Sequence, residues 1–159
     1  MAARDFSGLF LASACLCGTP CRYDGKATPH PVLVDLCERG FAVAACPEML
    51  GGLPAPRLPA ERAGDRIMTR DGRDLTEPFA LGAAKTLEIA LARGISVAVL
   101  KERSPSCGVF RIYDGTFSSR IIPGSGMTAN LLRANGLVLY NEETFINGAF
   151  FSGLGLEAE

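Results

Sequence analysis

Four short apolar runs, separated by segments with helical periodicity, limit this chain to a small set of folds. The runs cover residues 8–14, 41–45, 95–100 and 137–140, and each is short enough for one strand. Apolar strands that alternate with helices are typical of βαβ units, whose parallel strands lie in a sheet covered on both faces. The sequence therefore predicts the α/β class: a Rossmann-like three-layer sandwich with a mostly parallel sheet of about four or five strands.

Three helices are predicted between these runs, over about residues 29–39, 75–93 and 127–135. Each is followed by a glycine, the residue that most often ends a helix. Asp74 is expected to cap the second helix, with Glu77 as its partner in a capping box.

Two further segments lie outside the predicted strands and helices. Residues 47–74 are rich in glycine and proline and are expected to form a long functional loop, apart from a short edge strand over 67–69. Residues 109–122 contain a Tyr-Asp-Gly turn and are predicted to form a small hairpin.

The bulk composition places narrow limits on partners and location. The 159 residues contain no obvious linker, so a single domain over residues 1–159 is expected. A net charge of −1 gives no electrostatic footprint for intact nucleic acid or an anionic membrane. No apolar run is long enough to cross a membrane, and the start lacks the positive charge of a secretion signal. We therefore expect a cytoplasmic protein whose oligomeric state the sequence does not indicate.

Three of the six cysteines follow three of the predicted strands. Cys15 and Cys46 come directly after the first two runs, and Cys107 follows the third through a polar loop. Because the carboxyl ends of parallel strands meet at one rim of a sheet, these thiols should lie near one another. In a reducing cell, three converging thiols suit a metal ion or a cluster better than they suit disulfides.

The other three cysteines are less informative. Cys17 and Cys21 form a local group with Cys15, but the spacings match neither thioredoxin-type nor zinc-ribbon pairs. Such a group either binds metal or packs as small apolar side chains. Cys37 lies on the apolar face of the first predicted helix and is expected to fill the core, far from the rim.

Polar residues beside two of the rim cysteines are candidates for chemistry. Glu48 lies two residues after Cys46 and is either a proton carrier or an ordinary solvated glutamate. In the loop before Cys107, Ser104 and Ser106 offer hydroxyls to a thiolate or a ligand, and Gly108 allows close backbone approach. We predict Ser106 and Gly108 as substrate contacts; the alternative is a serine-rich turn.

Four motifs, taken together, resemble one known family, that of the 2-thiouracil desulfurases. The resemblance covers about residues 8–143, which is nearly the whole chain. In chain order the motifs are SACLCG with CRYDG, CPE with GGLP, KERSPSCG and IYDGTF, which begin at residues 13, 46, 101 and 112.

The resemblance implies a 4Fe–4S cluster held by Cys15, Cys46 and Cys107, with one iron open to the sulfur of the substrate. It also implies that Glu48 and Ser104 handle protons and hydrogen bonds at the bound thio-base. The implied reaction is the non-redox desulfuration of a small thiolated nucleobase such as 2-thiouracil, which gives the oxo base and sulfide.

Two alternatives to this enzyme remain open on the sequence. The first is a non-enzymatic protein that binds zinc through thiolates or carries a persulfide on Cys17 or Cys21. The second is a redox-sensing thiol module with a reversible disulfide from Cys21 to Cys15 or Cys17. Cys17 and Cys21 also stay open as further metal ligands; Cys17 stands where the family usually has an apolar residue.

Overall fold

A computed structural model describes residues 8–152, which form eight strands and five helices. The strands are β1 (Phe10–Ser13), β2 (Ala42–Ala45), β3 (Ala60–Ala63), β4 (Arg66–Thr69), β5 (Val97–Leu100), β6 (Arg111–Tyr113), β7 (Ile121–Pro123) and β8 (Val138–Asn141). The helices are α1 (Pro31–Glu38), α2 (Pro47–Leu50), α3 (Thr76–Ala92), α4 (Met127–Ala134) and α5 (Ala149–Ser152). Two 3-10 helices cover Ala14–Cys17 and Phe145–Asn147.

The four apolar runs form one parallel sheet in the order β2-β1-β5-β8. Strands β1 and β5 lie at its centre, and all of their residues are buried. The chain leaves β1 toward β2 on one side and later returns to β5 on the other. The carboxyl ends of β1 and β5 therefore flank a topological switch point, where open sheets of this type bind their ligands.

Helices cover both faces of the sheet, so the predicted α/β three-layer architecture is confirmed. On β1, Phe10 and Ala12 pack toward α1 and the buried Phe151, whereas Leu11 packs toward α3 and α4. This alternation is the period of two that a strand imposes on its side chains.

Among the described residues, no helix has both the length and the apolar character that a membrane span requires.

The long segment after β2 contains more regular structure than its sequence indicates. Helix α2 begins immediately at Pro47, and β3 and β4 pair antiparallel in a sheet of their own. The expectation of an irregular loop is therefore wrong for α2 and β3. The short strand predicted over 67–69 is present as β4, although it pairs with β3 and not with the main sheet. The charged β3 segment has no alternation of apolar residues, which is why its sequence does not predict a strand.

The capping box predicted for the second helix is also absent. Leu75 occupies the position before the first helical residue, Thr76, and provides no side-chain cap. Asp74 instead accepts a hydrogen bond from the Thr76 N–H at 2.9 Å, and it pairs with Arg66 of β4. The helix therefore begins about one residue later than expected, because Asp74 is also used by the hairpin.

Two glycines bring α2 and α3 into direct backbone contact. A Cβ atom on Gly51 would lie 2.0 Å from the Pro78 carbonyl oxygen, and one on Gly82 would lie 1.8 Å from the Pro47 carbonyl oxygen. Neither glycine has a positive φ that would itself require glycine. The close approach alone excludes a side chain, and it fixes the position of α2 and of Cys46 just before it.

Candidate active site

A cavity of about 510 Å³ lies at the carboxyl ends of β1, β2 and β5. Four cysteines line it, and all four are free thiols: Cys15, Cys21, Cys46 and Cys107. They come from different loops at the ends of the strands. Cys15, for example, lies in the 3-10 helix after β1, and Cys46 joins β2 to α2. The sheet topology therefore gathers thiols that are distant in sequence into one cavity.

Three of these thiols, Cys21, Cys46 and Cys107, have raised pKa values, which favour the protonated form. A hydrogen bond with Cys15 raises the pKa of Cys21 to about 11, and a hydrogen bond with Cys21 together with burial raises that of Cys46 further. Burial raises the pKa of Cys107 to about 12, although hydrogen bonds from Ser13 and Ser106 favour the thiolate. The nearby Arg57 charge opposes the increase in the pKa of Cys21 without reversing it. A metal centre that bound the thiols would release their protons.

The loop that carries Cys107 is built by hydrogen bonds from its own serines. The Ser104 hydroxyl oxygen accepts from the N–H groups of Ser106 at 3.1 Å and Cys107 at 3.0 Å. The Ser106 hydroxyl instead bonds to the buried Thr128 hydroxyl at 2.7 Å. A Cβ on Gly126 would lie 2.4 Å from the Ser106 carbonyl oxygen, so the loop rests directly on the start of α4.

Glu102 stabilises the end of the same loop by accepting hydrogen bonds from its main chain. Its carboxylate is 3 % exposed and accepts hydrogen bonds of 2.7 to 3.1 Å from the three successive N–H groups of residues 109–111. The Asn141 side chain donates a further bond at 2.6 Å. Burial raises the pKa of Glu102, but these hydrogen bonds outweigh it and hold the pKa below its usual range.

Replacing Glu102 by glutamine is expected to lower the free energy of unfolding by about 2 kcal/mol at pH 7. The glutamine NH₂ group is a hydrogen-bond donor, and it would face main-chain N–H groups that need an acceptor. The folded pKa of Glu102 is depressed, so the carboxylate stabilises the fold above its unfolded pKa of about 4.3 and stops doing so as the pH falls through the folded value. Urea unfolding at several pH values should therefore show the two proteins converging below about pH 4. A constant difference down to pH 2 would contradict this role.

Glu48 reaches the cavity in an ion pair with Arg57. Their side chains are 15 % and 8 % exposed, and Arg57 Nη2 donates to Glu48 Oε2. The same nitrogen donates to the Cys21 carbonyl oxygen at 2.9 Å, and Nη1 donates to that of Pro54 at 2.9 Å. Arg57 therefore holds the carboxylate in a fixed position beside the Cys21 loop.

The predicted site residues fall into two groups in the structure. Those that line the cavity are Cys15, Cys21, Cys46, Cys107, Glu48, Ser104 and Ser106. Gly108 does not line it; a Cβ there would lie 2.8 Å from the Ser104 and Arg111 carbonyl oxygens. The lack of a side chain at Gly108 serves the loop's own packing, and a contact of Gly108 with the substrate stays a prediction.

Cys17 and Cys37 form a disulfide across 6.3 Å between their Cα atoms. This pair corrects the expectation that Cys37 only fills the core far from the other cysteines. The pair also engages Cys17, which removes its thiol from the ligand set and from a bridge to Cys21. The 3-10 helix and α1 pack against each other, a contact that the sequence spacing does not reveal.

Arg57 and Glu102 are two cavity residues for which the sequence indicated no individual role. Arg57 donates to the Cys21 carbonyl oxygen, 36 residues away, and looks like an ordinary charged residue in its own segment. Glu102 accepts from N–H groups seven to nine residues further along the chain, and its signal was its place in the KERSPSCG motif.

The fold and the cavity define an α/β protein with a free-thiol site at the switch point of a parallel sheet. The chain belongs to the 2-thiouracil desulfurase family, whose model matches residues 10–144. YbbK of Bacillus subtilis (strain 168), described as an uncharacterized protein, is 44 % identical over 144 residues, which cover 84 % of this chain and 95 % of YbbK. The solved structure of TudS, a 4Fe–4S-dependent thiouracil desulfidase, matches with a TM-score of 0.86 at 44 % identity, over 92 % of this chain and 98 % of TudS. The resemblance predicted from the four motifs is thus confirmed.

Proposed function

We propose that this chain removes sulfur from a thiolated nucleobase such as 2-thiouracil, with a 4Fe–4S cluster held by Cys15, Cys46 and Cys107. The observation that carries the proposal is the convergence of free thiols on one cavity at the switch point of the sheet. Family membership and the likeness to TudS give the substrate class and the cofactor. The overall change is balanced without a redox partner: a thiocarbonyl and water become a carbonyl and hydrogen sulfide.

The residues present fit an iron–sulfur cluster better than a single metal ion. Thiolates are soft ligands and are the usual ligands of iron–sulfur clusters. In residues 8–152, no three His, Cys, Asp or Glu side chains stand close enough to hold one ion.

When bound through three cysteines, the cluster would supply an iron with an open position, able to polarise a thiocarbonyl as a Lewis acid. The protein's own residues would supply the rest. Glu48 is placed to accept a proton from the attacking water, and Arg57 keeps the carboxylate aimed into the cavity. The Ser104 oxygen already accepts two N–H groups, so its own proton is available to donate to the ligand.

The size of the cavity agrees with a small substrate. A volume of about 510 Å³ lies in the range of ordinary small-molecule sites. The net charge of −1 offers little attraction to an intact nucleic acid. Because the proposed ligands must stay free thiols, we propose the reducing cytoplasm as the compartment, where the Cys17–Cys37 disulfide would also be open to reduction.

The test of this function is an anaerobic preparation assayed with 2-thiouracil. We expect about four iron atoms and four acid-labile sulfides per chain. Sulfide and uracil should then appear in equal amounts with no reductant added. Zinc in place of iron would instead support the metal-handling alternative, and a requirement for a reductant would exclude the non-redox reaction.

Replacing Glu48 by glutamine should leave the iron content unchanged but lower kcat for sulfide release roughly 10²-fold to 10⁴-fold, the usual contribution of a positioned acid or base. The same substitution at the exposed Glu88 of α3 is the matched control and should have no effect. A Glu48→Gln enzyme with full activity and a full cluster would show that Glu48 carries no proton in the reaction.

A further inference from the structure

The end of β6 and the turn that follows it form part of the cavity wall. This segment contains the IYDGTF motif, which the thiol chemistry leaves unexplained. Tyr113, at the end of β6, and Phe117 and Ser119, in the turn before β7, line the cavity. Whatever occupies the cavity therefore faces this turn as well as the thiols.

Phe117 is held in an unfavourable backbone conformation. Its φ of 57° lies in the left-handed region, which a bulky side chain rarely adopts. Such strain persists only where the surrounding structure enforces it, and it is concentrated at ligand-binding positions. The position of the Phe117 ring thus depends on contacts made by other parts of the chain.

Two charged side chains of the β3–β4 hairpin supply those contacts. Glu61 Oε1 accepts the N–H of Gly115 at 3.0 Å and that of Phe117 at 3.1 Å. Arg70 donates to the Phe117 carbonyl oxygen at 3.1 Å, and its guanidinium lies 5.4 Å from the centroid of the Phe117 ring. Both Glu61 and Arg70 also line the cavity, so these hydrogen bonds to the turn lie at the cavity wall.

The turn has no room to move against the hairpin. A Cβ on Gly115 would lie 3.0 Å from both the Ala63 Cβ and the Arg62 carbonyl oxygen. The other cavity aromatics, Tyr23, Phe79 and Tyr113, lack the positive φ of Phe117. Phe79 is a buried residue of α3, Tyr23 is 43 % exposed, and Tyr113 is half-buried in β6. Phe117 is the ring whose placement requires both strain and an external clamp.

We propose that Phe117 provides the aromatic face on which the planar ring of the thio-base stacks, and that Glu61 and Arg70 are positioning residues for it. The inference rests on the proposed function and deepens it, because it restricts the substrate to planar heteroaromatic thiocarbonyl compounds. Aromatic side chains stack on nucleobases irrespective of their hydrogen-bonding pattern. The thiols would then select the sulfur, and Phe117 would select the ring that bears it.

The test is calorimetric titration with uracil, the oxo base, combined with steady-state kinetics on 2-thiouracil. Phe117→Leu should weaken uracil binding roughly tenfold or more and raise KM by a similar factor, whereas Phe117→Tyr should bind as the wild type does. Glu61→Ala should also weaken uracil binding and raise KM, because the turn that carries Phe117 would lose two hydrogen bonds and be displaced. The matched control is Phe110→Leu, because Phe110 is 52 % exposed and does not line the cavity.

The outcomes separate this inference from the proposed function. Equal affinity of wild-type and Phe117→Leu protein for uracil would overturn stacking, as would an equal loss in Phe110→Leu. No uracil binding by the wild type would also overturn it. If uracil binds in a Phe117-dependent way but no sulfide is released from 2-thiouracil, stacking stands and the desulfuration proposal fails. Unchanged iron content in every variant would show that the effect concerns the base and not the cluster.

Discussion

Replacing Cys107 by serine is expected to yield a folded protein that binds little iron and releases no measurable sulfide from 2-thiouracil. A serine hydroxyl is a harder and far less acidic ligand than a thiol, so it is a poor substitute for a thiolate on iron. The substitution is small, and the loop around Cys107 is held by Ser104 and Glu102 rather than by the thiol. Iron content, absorbance of the anaerobic protein and thermal unfolding of the iron-free protein together measure this result.

The six cysteines provide their own controls. Cys15→Ser and Cys46→Ser should behave as Cys107→Ser does, whereas Cys37→Ser should keep the cluster because Cys37 lies outside the cavity. Cys21→Ser should also keep its iron if three cysteines hold the cluster. Full iron content in Cys107→Ser would show that the ligand set is wrong, and loss in Cys21→Ser would add a fourth ligand.

Gly82→Ala is expected to have the second large effect, although it places a good helix former in the middle of a helix. The new Cβ would lie 1.8 Å from the Pro47 carbonyl oxygen, so α2 must move away from α3. We expect a loss of about 3 kcal/mol in the free energy of unfolding, the upper part of the range for overpacking. Because Cys46 and Glu48 flank Pro47, iron binding and sulfide release should fall as well.

The same helix offers a control for this prediction. Ala84→Gly, on the exposed face of α3, should cost only about 1 kcal/mol of helix propensity and leave the site unchanged. Gly51→Ala should reproduce the Gly82 phenotype from the other helix, and the double variant should be less damaging than the sum of the two. A Gly82→Ala protein as stable as the wild type, with normal iron content, would refute the contact.

Much of the fold was accessible from the sequence because its central strands are buried on both faces. Such strands appear as uninterrupted apolar runs, and the glycines after the helices mark where each crossover ends. Parallel order then follows from the βαβ pattern, and with it the meeting of Cys15, Cys46 and Cys107 at one cavity. Their role as ligands stays a prediction.

The parts that the sequence did not predict depend on contacts between distant segments. Strand β3 is short and half polar, and Glu61 within it bonds to the β6–β7 turn, a contact that its own sequence does not reveal. The disulfide requires α1 to lie against the 3-10 helix that carries Cys17. The interactions of Arg57 and Glu102 are with main-chain groups, which leave no trace in the identity of the partner residue.

The strand order has a consequence for how the protein matures. A ribosome-bound chain presents Cys15 and Cys46 well before it presents Cys107, because β5 is the third strand of the sheet to be made although it lies at the centre. The thiols share a cavity only once β5 has docked beside β1. A donor of iron and sulfide would therefore meet a complete set of ligands on a finished sheet, and loading would follow synthesis of the sheet rather than accompany it.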